Sequence, residues 1–335
     1  MKVSILDYAA KDEGMTAHDA FWATTELAQL ADRLGYHRFW VAEHHNVPVL
    51  AVSAPEILMT HLAGRTERIR IGSGGVMLPN YSAYKVAEWF KMMEALYPGR
   101  IDAGIGNSPG GDKLVYQALN EGKTEKPDYQ QQFKDLAGFL SDTLPKGHKY
   151  KSKRAAPIIE TTPEMYLLAA SQRNTGMAAE VGAGLVYAHF IRPDENTGVE
   201  AARSYREQFQ PSKLSDKPHV IVAVFVVVGE TEEEAEEMAQ AFDLWYLSSG
   251  SRKRAAYYMP TPEKARQVDY SDEEKELIRE NRKKVLIGDA ASVKQQLEEL
   301  QARYNADELL IVPNVYSIEK RKQAIRLLAD EMELD

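Results

Sequence analysis

The chemistry in this sequence concentrates in a few short stretches, of which Glu43-His44-His45 stands first. These three titratable side chains follow the apolar run Phe39-Trp40-Val41-Ala42, and burying all of them without partners is too costly. At least one must face water or a polar cavity, where a histidine serves as general base or hydrogen-bond partner. A structural, hydrogen-bonded histidine is the plainer alternative. Metal ligation is not expected, because neighbours on a strand point to opposite faces and the spacing matches neither HExxH nor HxxEH.

Two glycine-rich stretches come next: Ile71-Gly72-Ser73-Gly74-Gly75-Val76-Met77-Leu78-Pro79 and Gly104-Ile105-Gly106-Asn107-Ser108-Pro109-Gly110-Gly111-Asp112. Each reads as a turn, or as backbone that must approach a flat ligand closely. The first lacks the GxGxxG spacing of a dinucleotide fold, and a proline intervenes before any helix. Ala169-Ala170-Ser171-Gln172-Arg173-Asn174-Thr175-Gly176 sets hydroxyl, amide and guanidinium groups beside the backbone N–H groups of a helix start. That is a phosphate cradle, or ordinary capping by Ser171 or Asn174. There is no GxxxxGK[ST] loop.

The elements that must position these groups follow from periodicity. Strand-like runs recur at Val3–Leu6, Arg38–Ala42, Ile69–Gly72, Ile101–Ile105, Met165–Ala169, Leu185–Ala188, Val220–Val228 and Glu308–Val312. Helical stretches alternate with them. One is boxed in by Thr16 and Asp19 and ends at Gly35, one opens at Ser53-Ala54-Pro55-Glu56, and others span about 84–96 and 129–140. Eight strand–helix alternations predict an α/β fold, a single TIM-type (β/α)8 barrel over residues 1–335, with insertions before strands five and eight. A doubly wound sheet is the runner-up. The polar stretches 121–157 and 248–284 read as surface loops, the second, with Arg252, Lys253 and Arg254, as a lid.

Composition narrows the function. A net charge of -9 works against nucleic acid or anionic membrane as partner. The absence of cysteine excludes disulfides, thiolate metal sites and thiol nucleophiles. An acid at Asp7 interrupts the first apolar run, unlike a signal peptide or membrane span, so a cytoplasmic location is expected.

Taken together, the runs 39–45, 71–79 and Tyr97-Pro98-Gly99-Arg100-Ile101-Asp102 resemble the bacterial luciferase-like monooxygenases in order and spacing. So does the C-terminal segment 288–310. The resemblance implies reduced FMN held at the C-terminal mouth of the barrel, where molecular oxygen is used to oxidise a small organic substrate. It implies His44 beside the flavin as base or hydrogen-bond partner, Glu43 and His45 in support, and a non-proline cis peptide at Gly74-Gly75 under the isoalloxazine ring. Relatives usually carry an arginine for the flavin phosphate where this chain has Asn107. Arg173, with Ala170, Ser171, Asn174 and Thr175, is expected to take over that phosphate. The resemblance also implies a homodimer through the helices after strands two and three, and a separate flavin reductase as partner. A deazaflavin-dependent hydride transferase and a non-catalytic flavin-binding protein are the alternatives.

Overall fold

The computed structural model describes residues 1–123, 125, 127–193, 195–249 and 256–334. The strands are β1 (Lys2–Asp7), β2 (Arg38–Val41), β3 (Arg70–Ser73), β4 (Val76–Met77), β5 (Ile101–Gly106), β6 (Glu164–Ala169), β7 (Gly184–Ala188), β8 (Val220–Gly229), β9 (Val285–Asp289) and β10 (Glu308–Val312). All pair in parallel in the order β10-β1-β2-β3-β5-β6-β7-β8, and β10 pairs back onto β8 to close the barrel. β4 resumes β3 after a two-residue break and pairs with β5, so the barrel has eight staves. The doubly wound alternative is thereby excluded.

The eight expected strands are all present. Their residues are buried on both faces, inward against the barrel interior and outward against helices, as the near-continuous apolar run of β8 requires. The first helix, Ala17–Arg33, begins at the expected Thr16–Asp19 capping box. Pro55–Ala63 starts on its proline, with Ala54 rather than Ser53 at the cap. Ala83–Leu96 and Tyr129–Leu140 lie where periodicity puts them. Unanticipated are β4, β9 and the short helices Lys113–Leu119, Pro262–Arg266 and Asp272–Arg282. The last two occupy the second insertion, whose Arg252, Lys253 and Arg254 lie outside the described residues.

The N-terminal end of the barrel is closed by charge. Arg38 is 2% exposed and reaches Glu308 at 3.0 Å, Asp102 at 2.8 Å and Glu164 at 3.0 Å. Arg70 adds contacts of 2.5 Å to Asp102 and 3.2 Å to Glu164. The Trp40 indole donates to Asp102 at 2.9 Å, and the Ser4 hydroxyl donates to Glu308. Burial alone would raise the Glu164 carboxyl, but Arg38 and Arg70 pull it down to about 2. Each of these charges occupies the first or second residue of its strand, so five staves present them in one layer.

Candidate functional site

The opposite, C-terminal end gathers the residues that follow each strand, as in other barrels. A cavity of about 550 Å³ there is lined by Tyr8 after β1, His44 and His45 after β2, Phe190 after β7, Phe225 of β8, and Trp245 and Tyr246 of the helix Glu232–Ser249. His44 meets the Tyr8 ring edge-on, centroids 5.2 Å apart. Its Nδ1 is buried with no hydrogen-bond partner among the described residues. Burial, with a smaller push from His45, lowers the His44 pKa to about 4, so the ring is neutral at pH 7.

Glu43 points elsewhere. Its carboxylate is fully buried and receives four donors: Met77 N–H at 2.8 Å, His45 Nε2 at 2.7 Å, Tyr81 OH at 2.9 Å and Asn80 Nδ2 at 3.4 Å. It thus ties the end of β2 to β4 and the turn that follows. Of the three expected residues, His44 lines the cavity with its Nδ1 buried, His45 lines it while held by Glu43, and Glu43 stands behind both.

Between β3 and β4 the Gly74-Gly75 peptide is cis, as expected. The backbone packs so tightly that a Cβ on Gly75 would sit 2.9 Å from the Gly104 carbonyl oxygen, and one on Gly104 only 1.8 Å from that of Ser73. The two glycine stretches are therefore one joint, in which neither strand end tolerates a side chain toward the other.

Asn107 and Asn174 also come together. They line a second cavity, of about 890 Å³, with Gly176, Gln208, Gln210, Asp128 and Glu180. Neither Ser171 nor Asn174 caps its helix through its side chain. Thr175 is buried and donates to the Gln172 carbonyl at 2.9 Å, and Ala170 and Ser171 form the turn after β6. The Arg173 side chain lies outside the described residues, in the 3-10 turn Gln172–Asn174. Asp128 is engaged by Gln130 N–H at 3.0 Å and Glu180 by Lys134 at 2.7 Å.

Sequence reasoning missed the aromatic wall. Tyr8 follows β1 directly, so inspection of strand ends would have found it. Phe242, Trp245 and Tyr246 carry helical spacing, which reads as core until the helix is known to lean over the mouth.

A family profile described as luciferase-like monooxygenase matches residues 1–305. YceB of Bacillus subtilis (strain 168) is 42% identical over 329 residues, 98% of each chain. The N-acetyl-S-alkylcysteine monooxygenase of the same strain is 35% identical over 340 residues, again 98% of each. The crystal structure of apo-MsnO8 superposes with a TM-score of 0.88 at 34% identity, covering 100% of this chain and 98% of that one. The same fold recurs at low identity in the oxygenating constituent of the 3,6-diketocamphane monooxygenase from Pseudomonas putida, solved with FMN (TM-score 0.69, 17%, covering 99% and 98%). It recurs in an F420-dependent secondary alcohol dehydrogenase (TM-score 0.61, 16%, covering 98% and 99%). Among the described residues no helix is long and apolar enough to cross a membrane. With its closed parallel barrel and near full-length likeness to these proteins, the chain belongs to the luciferase-like monooxygenase family.

Proposed function

We propose that this protein is a monooxygenase that uses reduced FMN and molecular oxygen to oxidise a small organic molecule at the C-terminal mouth. The observation that carries this is His44: a neutral imidazole that lines an apolar cavity at the strand ends, with its buried Nδ1 unpaired among the described residues. A polar ring held in that state leaves hydrogen-bonding capacity that the described residues do not use. The residues present fit a flavin. The bare backbone at Gly74-Gly75 lies at the strand ends beside His44's strand, and the His44 imidazole offers a hydrogen-bonding ring at the cavity wall. Asn107 and Asn174 would meet the phosphate with amides, and Arg173 is the residue proposed to add charge. When bound, reduced flavin supplies the electrons that activate oxygen. His44 would hold or move a proton at its imidazole, Glu43 and His45 would fix its strand end, and the aromatic wall would keep water out.

Titration with FMN and with F420 tests the cofactor, and oxygen uptake with reduced FMN tests the reaction. Micromolar FMN binding and substrate-dependent uptake are expected. Binding of F420 in preference to FMN would replace the reading with hydride transfer. FMN binding unchanged in Arg173→Ala would remove Arg173 from the phosphate site. Given the named relative, N-acetyl-S-alkylcysteines are the first thioethers to assay.

A homodimer belongs to the same proposal. Ile57, Met92 and Leu96 are 70%, 55% and 59% exposed on the helices that follow β2 and β4, whereas Val86 and Phe90 pack on their own barrel. Sedimentation of Ile57→Glu against the parent checks it: the variant should sediment as a monomer.

A further inference from the structure

The mouth carries a hydroxyl that no described residue uses. Tyr8 follows β1, and the backbone beside it is pinned by Asp7, whose carboxylate accepts the Ala9 N–H at 3.0 Å and the Thr24 hydroxyl at 2.5 Å. Its ring is held edge-on by His44 and by Phe225, the latter with centroids 6.2 Å apart at 86°. The Tyr8 hydroxyl makes no hydrogen bond among the described residues, and it is not sealed off as His44 Nδ1 is: Tyr8 lines the cavity and keeps 8% of its surface exposed. The other hydroxyls of the lining are committed. Tyr246 donates to the Phe190 carbonyl at 3.3 Å, Ser248 to that of Leu244 at 2.8 Å, and Ser249 to that of Tyr246 at 2.7 Å. Burial, with a smaller push from Tyr246, holds the Tyr8 pKa well above its ordinary value, so the group stays a phenol and can donate.

We infer that Tyr8 is a specificity-determining residue of the mouth: its hydroxyl donates to a neutral carbonyl oxygen, ketone or amide, of a substrate whose apolar part packs on Phe190, Phe225 and Tyr246. This rests on reading the mouth as the substrate end of an oxygenase. A neutral acceptor is the match because no lysine or arginine stands among the described lining residues, and Asp112, the one described carboxylate there, repels an anion. The rings supply affinity by burial, which is non-directional, whereas the phenol decides which end of the molecule faces β1. The His44 ring abuts that of Tyr8, so a carbonyl held by the phenol is presented beside the imidazole.

Binding of acetophenone and of its isostere α-methylstyrene, in which a methylene replaces the carbonyl oxygen, is measured by calorimetry on the full-length protein without flavin or oxygen. The alkene is the more apolar molecule, so the readout is the change in the ratio of the two affinities, in which the cost of leaving water cancels. Tyr8→Phe, which keeps the ring and removes the hydroxyl, should weaken acetophenone about fivefold relative to α-methylstyrene, the worth of one net hydrogen bond. In a separate titration, FMN should bind Tyr8→Phe within about twofold of the parent, and so should α-methylstyrene. A ratio unchanged in Tyr8→Phe, or no binding of acetophenone to the parent, would overturn the assignment. So would an equal loss of FMN affinity, which would place the hydroxyl on the cofactor instead. Should Tyr8→Phe fail to fold, Tyr8→Leu provides the same ratio. A protein that shows the expected change of ratio yet takes up no oxygen with reduced FMN would refute the oxygenase reading and leave the Tyr8 contact standing.

Discussion

The two ends of the barrel are built on opposite rules. At the N-terminal end Arg38, Arg70, Asp102, Glu164 and Glu308 satisfy one another in a buried ionic layer. At the C-terminal end His44 Nδ1 and Trp245 Nε1 sit among aromatic rings with no partner among the described residues. Breaking a buried ion pair leaves an uncompensated charge, so the first end is intolerant of change. An unpaired polar atom in an apolar cavity is instead stability forgone. The contrast separates an end in which polar groups satisfy one another from an end in which they do not.

Three substitutions can break or sharpen that contrast. The largest effect is expected for His44→Asn, which should cut turnover by about 10²–10⁴-fold, the usual range for a positioned proton-transfer group, while changing unfolding free energy by under about 1 kcal/mol. A large loss of stability with turnover intact would reverse the assignment of the two ends. Arg38→Ala should lower unfolding free energy by about 3–5 kcal/mol in urea denaturation, because three carboxylates lose their shared cation. A loss below about 1 kcal/mol would show that the layer does not secure the barrel.

Acid should report on the mouth as well. The folded His44 pKa of about 4 lies below the ordinary value of 6.5, so the unfolded chain binds its proton first. The resulting stability is complete above pH 6.5 and disappears as pH falls toward 4, by at most about 3 kcal/mol. His37 and His219, also lowered mainly by burial, act in the same direction. The measurement is therefore the difference between the pH profiles of the parent and His44→Asn; parallel profiles would deny that His44 is buried and neutral. The smallest effect is expected for Glu43→Gln. It should cost about 1–2 kcal/mol and lower kcat by less than tenfold with KM unchanged, since Glu43 acts through His45 and β4 rather than on substrate. A hundredfold loss in kcat would place its carboxylate in the chemistry.

Much of this was legible in the sequence. The staves were visible because runs such as Val220–Val228 are apolar on both faces, and His44 and the glycine joint stood out because they follow such runs directly. β4, of two residues, is too short for any period, and β9 is only partly buried and so carries a weaker apolar signal. The ionic layer was less evident, yet it left a trace. Arg38, Arg70, Glu164 and Glu308 each open a strand, and Asp102 stands second in its own. A charge recurring at the start of otherwise apolar strands is the pattern of a polar layer across the barrel. Tyr8 could have been read from the end of β1, but the helical part of the aromatic wall could not, because nothing local shows which way the helix Glu232–Ser249 leans.

β8 is ten residues long and does two jobs along its length. Its first part carries the pairings to β7 and β10, and from Phe225 to Gly229 it pairs with β9. The insertion is thus clipped on at one side by that upper rail and at the other by the Met259 N–H bond to the Lys11 carbonyl, 2.7 Å long. Such a segment behaves like a cartridge. Its described part, 256–284, contributes no pairing to the eight staves, so its length and composition can change without altering the register of any of them.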